Sequence, residues 1–377
     1  MLIVVISIGI ILAVILERHF YKPENLKGLA YAIKLDRKDV IEGETLWMEE
    51  IIHNKGIKLF PRIITNTEII NDMDEDSRTH HKGPNYFSFN HKTSLLFFQK
   101  VTISHKITAK RRGVYHAQLH RLNYDDLLMV DEHFLDILRE EIFVVYPKIY
   151  PLEQFLPAPV TFSGDSFVKR FILEDYFFPI GVRDYASGDN IKHIDWKKTA
   201  QVGQLKIKTY DYTSQEQLFI ILNIQTSNSF SGGNDTEMVE QVITLGASLI
   251  NAAHNENYDI GLFTNAGCIG YPGQTLTLTP GSYQGIEHLY EYTARLVNFP
   301  SLPFAQFLSN ANQYFQPESN VIVITAFADD AINNALLRLK SSVKNFKIIA
   351  VGNSIDFLDS ESLNVFQADM EGMKLND

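Results

Sequence analysis

The chain of 377 residues contains one cysteine, Cys268. One thiol cannot close an intrachain disulfide and cannot supply a Cys-based zinc finger, and the low usage fits a reducing compartment. Positive charge is scarce too: 34 Lys and Arg against 45 Asp and Glu leave a net charge of −11. Sequence-independent binding to nucleic acid needs clustered cations, so this balance argues against it. Catalytic motifs are missing as well. No Gly-Lys dipeptide occurs, which removes the phosphate-binding P-loop. There is no His-Glu-x-x-His, and Ser229-Phe-Ser-Gly-Gly233 lacks the first glycine of a nucleophile elbow. Cys268 sits beside glycines after a strand-like run, without a positioned base, and is read as inert. Apolar residues are not lacking: at 45% they describe a folded protein of two or three domains.

The first feature present is an uninterrupted apolar run, Met1–Leu16, ending at Glu17-Arg18-His19. As a helix it spans ~24 Å, slightly less than the ~30 Å hydrocarbon core. It lacks the basic start and small-x-small cleavage site of a signal peptide, so an uncleaved membrane anchor over 1–16 is expected. Arg18, Lys22 and Lys27 follow the run. The positive-inside rule then puts the body in the cytoplasm, on a single-pass protein of the cell (inner) membrane.

Residues 28–147 read as a β-rich, sandwich-like domain. Leu29–Leu35, Leu46–Ile52, Ile63–Ile69, Leu95–Ile103, Ile107–Tyr115 and Ile142–Tyr146 have strand length and composition, with Asn54-Lys-Gly and Arg112-Gly as turns. Asp131–Arg139 is the exception and reads as a turn or two of helix. The polar stretch from Asn71 to His91 places Asp72, Asp74, Glu75 and Asp76 near His80, His81 and His91. Such groups can bind a metal and could serve a metal-assisted hydrolase. Their spacing matches no ligand motif, and a solvated loop is the plainer reading. Residues 148–180 form a connector broken by Pro151, Pro157, Pro159 and Pro179.

From Glu216 strand and helix alternate. The apolar runs Leu218–Leu222, Ile260–Phe263, Val321–Ile324 and Phe346–Val351 read as buried parallel strands. Between them Met238, Val242, Leu245, Leu249 and Ala252 recur at helical spacing, with a start signal at Asn234-Asp-Thr-Glu237. Ile286, Leu289, Tyr290, Thr293 and Val297 mark a second helix, and Ile332, Ala335, Leu336, Leu339 and Val343 a third. The fold class expected is α/β plus all-β, the α/β part being a doubly wound, mostly parallel sheet.

Residues 181–208 carry the densest constellation. Arg183, Lys192, Lys197, Lys198, Lys206 and Lys208 nearly balance Asp184, Asp189 and Asp195 around Trp196. Ser187-Gly188-Asp189 suits a tight turn, Asp195 suits a helix cap before Trp196, and Leu205–Tyr212 alternates as a half-exposed strand does. Two readings stand: an ion-pair network that latches the segment to the α/β domain, and a partner-docking surface.

The order Gly181-x-Arg183-x-Tyr185-x-x-Gly188-Asp189-x-x-Lys192-x-Ile194-Asp195-Trp196-Lys197-x-Thr199-Ala200, then Leu205-x-Ile207-Lys208, resembles the signature of the family known as domain of unknown function 58. Arg112-Gly-Val-Tyr115, Tyr124–Leu128 and Val144–Pro147 resemble its β-rich N-terminal region, and Pro280–Gln284 resembles the turn before its second major helix. The resemblance implies a bacterial or archaeal membrane-anchored protein with a von Willebrand factor A-like domain, spanning 181–377 with the signature. It also implies a MoxR-type AAA+ ATPase as partner, and a signature (Arg183, Tyr185, Gly188, Asp189, Lys192, Asp195, Trp196, Lys197, Thr199) that latches or docks.

Two departures from the family pattern are visible. Members usually carry two membrane helices where this chain shows one, so this member uses one span or a helix precedes Met1. Von Willebrand A domains with a working metal site carry Asp-x-Ser-x-Ser after the first strand, where this chain has Asn223-Ile-Gln225-Thr-Ser227, and the later acidic position is Thr325-Ala326. Hard divalent cations want anionic oxygens, so a degenerate site and no cofactor are expected. The function expected is a non-enzymatic membrane adaptor that binds proteins, in envelope-protein maturation or stress tolerance. The alternatives are the hydrolase above and, with topology reversed, an extracellular adhesin.

Overall fold

The computed structural model of the chain describes residues 2–26, 28–71, 87–156, 181–186, 194–209, 217–228, 234–343, 345–352, 358–360 and 362–370. It is a mixed α/β protein with several sheets and one N-terminal apolar helix. That helix, α1 (Leu2–Tyr21, 20 residues), continues through Glu17, Arg18 and His19, past the expected end at Leu16. At ~1.5 Å per residue it reaches ~30 Å and is long and apolar enough to span a membrane, with Glu17, Arg18 and His19 in its last turns. Charged residues near the end of α1 are held by the body: Arg18 pairs with Asp131, and Glu17 accepts the Leu127 backbone N–H at 2.7 Å.

Two antiparallel-rich sheets follow. Strands β1 (Leu29–Leu35), β2 (Asp39–Ile41), β3 (Thr45–Asn54), β4 (Phe60–Asn71), β5 (Phe87–Leu95), β6 (Lys100–Thr108), β7 (Gly113–Asp125) and β8 (Glu132–Tyr146) divide between them. One sheet has the order β1-β3-β6 and the other β2-β8-β7-β4-β5. Their inner faces share one core, with Tyr31, Leu46, Met48 and Ile52 from the first sheet against Phe60, Ile63, Leu119 and Tyr124 from the second. Strand alternation at period two makes this possible, since every second residue of β3 is withdrawn from water.

Two expectations are corrected here. Asp131–Arg139 is not helical: β8 pairs with β7 from Gly113↔Val145 to Asp125↔Glu132, with one register shift between Leu119↔Arg139 and Arg121↔Asp136. A long partner strand overrides a local pattern in which Phe134, Leu135, Ile137 and Leu138 mimic helical spacing. The runs Leu95–Ile103 and Ile107–Tyr115 are also displaced, because the chain turns at 96–99 and 109–112 and the strands lie between these turns.

Residues 148–156 do not behave as a free connector. Leu152, Phe155 and Leu156 are buried in the second core, and the Tyr150 N–H donates to Ser248 Oγ at 3.0 Å; the remainder, 157–180, lies outside the described residues.

The signature contributes β9 (Gly181–Asp184), α2 (Trp196–Val202) and β10 (Lys206–Thr209). Next come β11 (Gln217–Asn223), α3 (Thr236–Asn255), β12 (Asp259–Thr264), β13 (Ala266–Cys268), β14 (Leu276–Leu278), α4 (Ile286–Arg295), β15 (Leu296–Pro300), α5 (Phe304–Ala311), β16 (Asn320–Thr325), α6 (Asp330–Ser342), β17 (Asn345–Ala350) and β18 (Val365–Gln367). The central sheet has the order β14-β12-β11-β16-β17-β18, with β14 antiparallel and the other neighbours parallel. Numbered along the chain, its strands lie 3-2-1-4-5-6, which sets the reversal of strand order between β11 and β16. Leu218, Ile220 and Leu222 pack towards α3 and α4, while Phe219 and Ile221 pack towards α5 and α6. Both faces of β11 are therefore dry, which is why it reads as one apolar run. Gly246 allows α3 to approach β11, since a Cβ there would lie 2.7 Å from Leu222 Cδ2.

Candidate functional site

In the signature, β9 and β10 form an antiparallel ribbon with Lys206 opposite Asp184, and the two side chains pair at 2.6 Å. Asp195 accepts the Lys198 N–H at 2.9 Å and so caps α2, as its sequence position predicts. Its own N–H donates to Lys206 O, and Thr199 Oγ1 accepts the Lys206 N–H. Gly203 closes α2 with φ +75°, a conformation glycine adopts without strain. These interactions join Asp184, Asp195, Thr199 and Lys206 to one another inside the segment. Arg183 donates to the Asp184 carbonyl, and Lys197 lies on the exposed first turn of α2. Trp196 is 64% exposed, and α2 buries no residue. Tyr185 is held by its backbone on Leu205 O. Gly188, Asp189 and Lys192 lie outside the described residues.

The switch point between β11 and β16 carries amides and hydroxyls. Asn223, fully buried, donates to Thr325 Oγ1 at 2.9 Å and to Phe327 O at 3.3 Å, and its Oδ1 accepts the Gln225 N–H at 3.0 Å. Gln225 bridges Ser227 O and the Phe304 N–H, which fixes the start of α5. Ala326 offers no side-chain donor. Asp329, the nearest carboxylate in sequence after β16, caps α6 by accepting the Ile332 N–H at 2.7 Å. Asn223, Gln225, Ser227, Thr325 and Ala326 thus form a neutral set, in which the Asn223 and Gln225 amides and the Thr325 hydroxyl are engaged with one another and with Phe304 and Phe327. They do not fit a hard divalent cation, which needs anionic oxygens.

The start signal Asn234-Asp-Thr-Glu237 offers its first residue as the acceptor three positions before Glu237. Asp235 caps the helix after β11 instead, accepting from Glu237 N and Met238 N. Asn234 ties loops together: it donates to Ile224 O and Asn298 O and accepts from Thr226. An asparagine beside an aspartate leaves the cap position open by one residue, and only the surrounding loop decides it.

The polar centre that sequence reading missed is Arg112. It is 1% exposed. Its Nε donates to Glu240 of α3 at 2.8 Å, and Nη1 donates to the carbonyls of Thr293, Ala294 and Leu296 at 3.1, 3.3 and 2.8 Å. Nη2 reaches Asn298 Oδ1 at 2.5 Å. The last carbonyls of a helix lack intrahelical partners, and here one guanidinium from the β-rich part serves those of α4. Glu240 is the signal that could have found it: a carboxylate amid the apolar face of α3 that needs a buried cation. Beside this centre, burial pushes the Glu42 carboxyl up to about 7, and Glu240 adds to the rise. Cys268 is buried, and its thiol is pushed up to about 12, so it stays protonated at neutral pH.

Of the Asp72–His91 stretch, residues 72–86 lie outside the described residues, and His91 is on β5.

In Bacillus subtilis (strain 168), uncharacterized protein YeaD is 22% identical to this chain over 166 residues, covering 44% of this chain and 39% of that protein. The alignment thus spans well under two thirds of that relative. Among solved structures, the CARDB domain of the PF1109 protein from Pyrococcus furiosus matches 32% of this chain and 90% of its own at 14% identity and TM-score 0.23. The β-glucosidase EmGH1 from Erythrobacter marinus matches 31% and 15% at 10% identity and TM-score 0.22. Likenesses this faint carry nothing about function. Residues 181–351 match the family described as Protein of unknown function DUF58, and the resemblance read from the signature is borne out over that range.

Proposed function

We propose that this chain is a non-enzymatic, membrane-anchored adaptor. In this reading α1 crosses the cell membrane, the body lies in the cytoplasm, and the α/β part is a von Willebrand A-like domain that binds a protein partner. The strand order 3-2-1-4-5-6, with helices on both faces, supports the domain assignment. The neutral switch point supports partner binding without an ion bridge. The family resemblance suggests a MoxR-type AAA+ ATPase as that partner.

The observation that carries the proposal is Trp196, left 64% exposed on a helix that buries nothing. A structural latch would bury its tryptophan, because an indole gains ~2 kcal/mol or more from leaving water. Exposed aromatics of this kind are typical anchors of protein interfaces. Membrane attachment is supported by the end of the sandwich next to α1. Its loop tips expose Ile57 (69%), Phe98 (65%) and Met129 (59%), and Lys58 of the first loop donates to Phe20 O at the end of α1. Apolar and aromatic side chains suit the interfacial layer there.

The test is affinity purification of full-length protein from its native cells in mild detergent, wild type beside Trp196→Ala. Recovery of an AAA+ ATPase with wild type, reduced at least tenfold for Trp196→Ala at unchanged thermal stability, supports the reading. Equal recovery with both proteins, or no ATPase with either, overturns it. A periplasmic phosphatase active when fused to Asp377 overturns the cytoplasmic placement.

A further inference from the structure

Inside the sandwich, inward positions on three strands that alternation reserves for apolar residues carry ionisable side chains. On β3 the inward series is Leu46, Met48, Glu50, Ile52, and Glu50 is fully buried. On β6 it is Val101, Ile103, His105, Ile107, with His105 8% exposed. On β5 it is Phe87, Phe89, His91, Thr93, with His91 half-buried. Within the first sheet Met48↔His105 and Glu50↔Ile103 set His105 diagonally beside Glu50, within the second Thr65↔His91 sets His91 beside Thr65, and the Thr65 Oγ1 contact to Glu50 joins the two sheets at this point.

The donor atoms converge. A carboxylate oxygen of Glu50 and one ring nitrogen each of His91 and His105 all lie within 4.8 Å of one another. His105 Nε2 is 3.0 Å from Glu50 Oε1. His91 Nε2, His105 Nε2 and Glu50 Oε1 are each shielded from solvent, and apart from the His105–Glu50 approach none has a polar partner among the described residues. A buried polar atom without a full set of partners costs ~1–3 kcal/mol, and one ion bound by all three of these neighbouring atoms would remove that cost. The other carboxylate oxygen is already held. Glu50 Oε2 accepts from Tyr31 Oη at 3.1 Å and from Thr65 Oγ1 at 3.2 Å. That arrangement orients the carboxylate so that Oε1 faces the two imidazoles, as the outer partners of metal ligands do.

We infer that Glu50, His91 and His105 form a binding site for a divalent transition cation of the zinc class. Two imidazoles and one carboxylate are a ligand set that zinc accepts. Ligand atoms at ~2.0–2.1 Å from a tetrahedral ion stand ~3.3 Å apart. The Glu50–His105 separation is close to that, and a small rotation of His91 completes the triangle. Calcium and magnesium, which want mostly oxygen ligands, are disfavoured. β5 and β6 are edge strands of their two sheets. An ion held by both would clip the open side of the sandwich and leave a fourth position for water.

The probe is Co2+, whose visible absorption in a four-coordinate site reports ligation directly. Full-length protein in mild detergent is titrated with Co2+ and then with Zn2+, beside His91→Ala, His105→Ala, Glu50→Gln and His133→Ala. The last controls for the second group, Asp126, Asp131 and His133, whose donor atoms also converge. The expected result is an absorption band saturating at one equivalent and displaced by one equivalent of Zn2+. It should be lost in His91→Ala and kept in His133→Ala, with zinc affinity for His91→Ala down about 100-fold or more. His91 is half-buried on an edge strand, so its variant folds even if Glu50→Gln does not, and circular dichroism checks this. No band in wild type, or a band that survives in the folded His91→Ala protein, overturns the site.

Discussion

Removing the Arg112 side chain is the perturbation from which the fold gives the sharpest expectation. Arg112→Ala leaves the Glu240 carboxylate, 4% exposed, without its cation and strips Nη1 from the carbonyls of Thr293, Ala294 and Leu296. Breaking one side of a buried ion pair costs ~3–5 kcal/mol. Carbonyls left unpaired add ~1 kcal/mol each where water cannot reach them, though losses in one network do not sum. We expect a loss of about 4 kcal/mol, a large share of the ~5–15 kcal/mol by which domains are stable. At an m-value of ~3 kcal/mol/M the urea midpoint falls by roughly 1–2 M. The assay is urea unfolding in detergent, followed by near-ultraviolet circular dichroism. Arg112→Lys keeps the charge but not the fork and should lose about half as much. Glu240→Ala and the double variant close a cycle, and the double variant should cost less than the two single losses combined. A midpoint for Arg112→Ala within ~0.3 M of wild type refutes the assignment of this residue as the joint between the β-rich part and α3 and α4.

Glu42 gives a pH dependence. Its carboxyl ionises near 4.5 in the unfolded chain and at about 7 in the folded one, so the native state holds the proton more tightly. The stability this contributes is full below pH 4.5 and is lost as pH rises through about 7, on the order of 2 kcal/mol. Glu42→Gln should flatten that fall, and a slope unchanged between pH 5 and 8 refutes it. Gly113→Ala should lower stability by ~1–3 kcal/mol, because φ is +146° and the new Cβ would collide with the Asn71 amide. Asn71→Ala in the same protein should recover part of the loss, and thermal unfolding reads both. An environment-sensitive dye on Phe98→Cys, in a Cys268→Ala background, should shift to the blue in liposomes while the same dye on Val202→Cys does not. Equal spectra at the two positions remove the loop tips from the bilayer surface.

Much of the architecture was legible because local chemistry and tertiary need agreed. The apolar run at the N-terminus, the buried strands Leu218–Leu222 and Val321–Ile324, and the helical stripes on α3 and α6 carry their own periodicity. Asp195 caps α2 because its carboxylate reaches an N–H three residues on, a contact that needs no distant partner. The signature was readable for the same reason: its described partners lie within one segment.

What the tertiary structure decided are the places where partners come from far along the chain. β8 is a strand because β7 offers it a ladder along almost its whole length, against a local pattern that mimics a helix. Arg112 meets Glu240 across 128 positions and Asn298 across 186, and nothing near Arg112 in the sequence announces either. Glu50, His91 and His105 are polar residues at apolar parity on three strands, a signal that acquires meaning only when pairing and register set them against one another. The sequence by itself determined which elements form and which faces are apolar, because periodicity and capping act over a few residues. Only the folded chain decided which charges are buried together, because burial removes the water that would otherwise satisfy each of them alone.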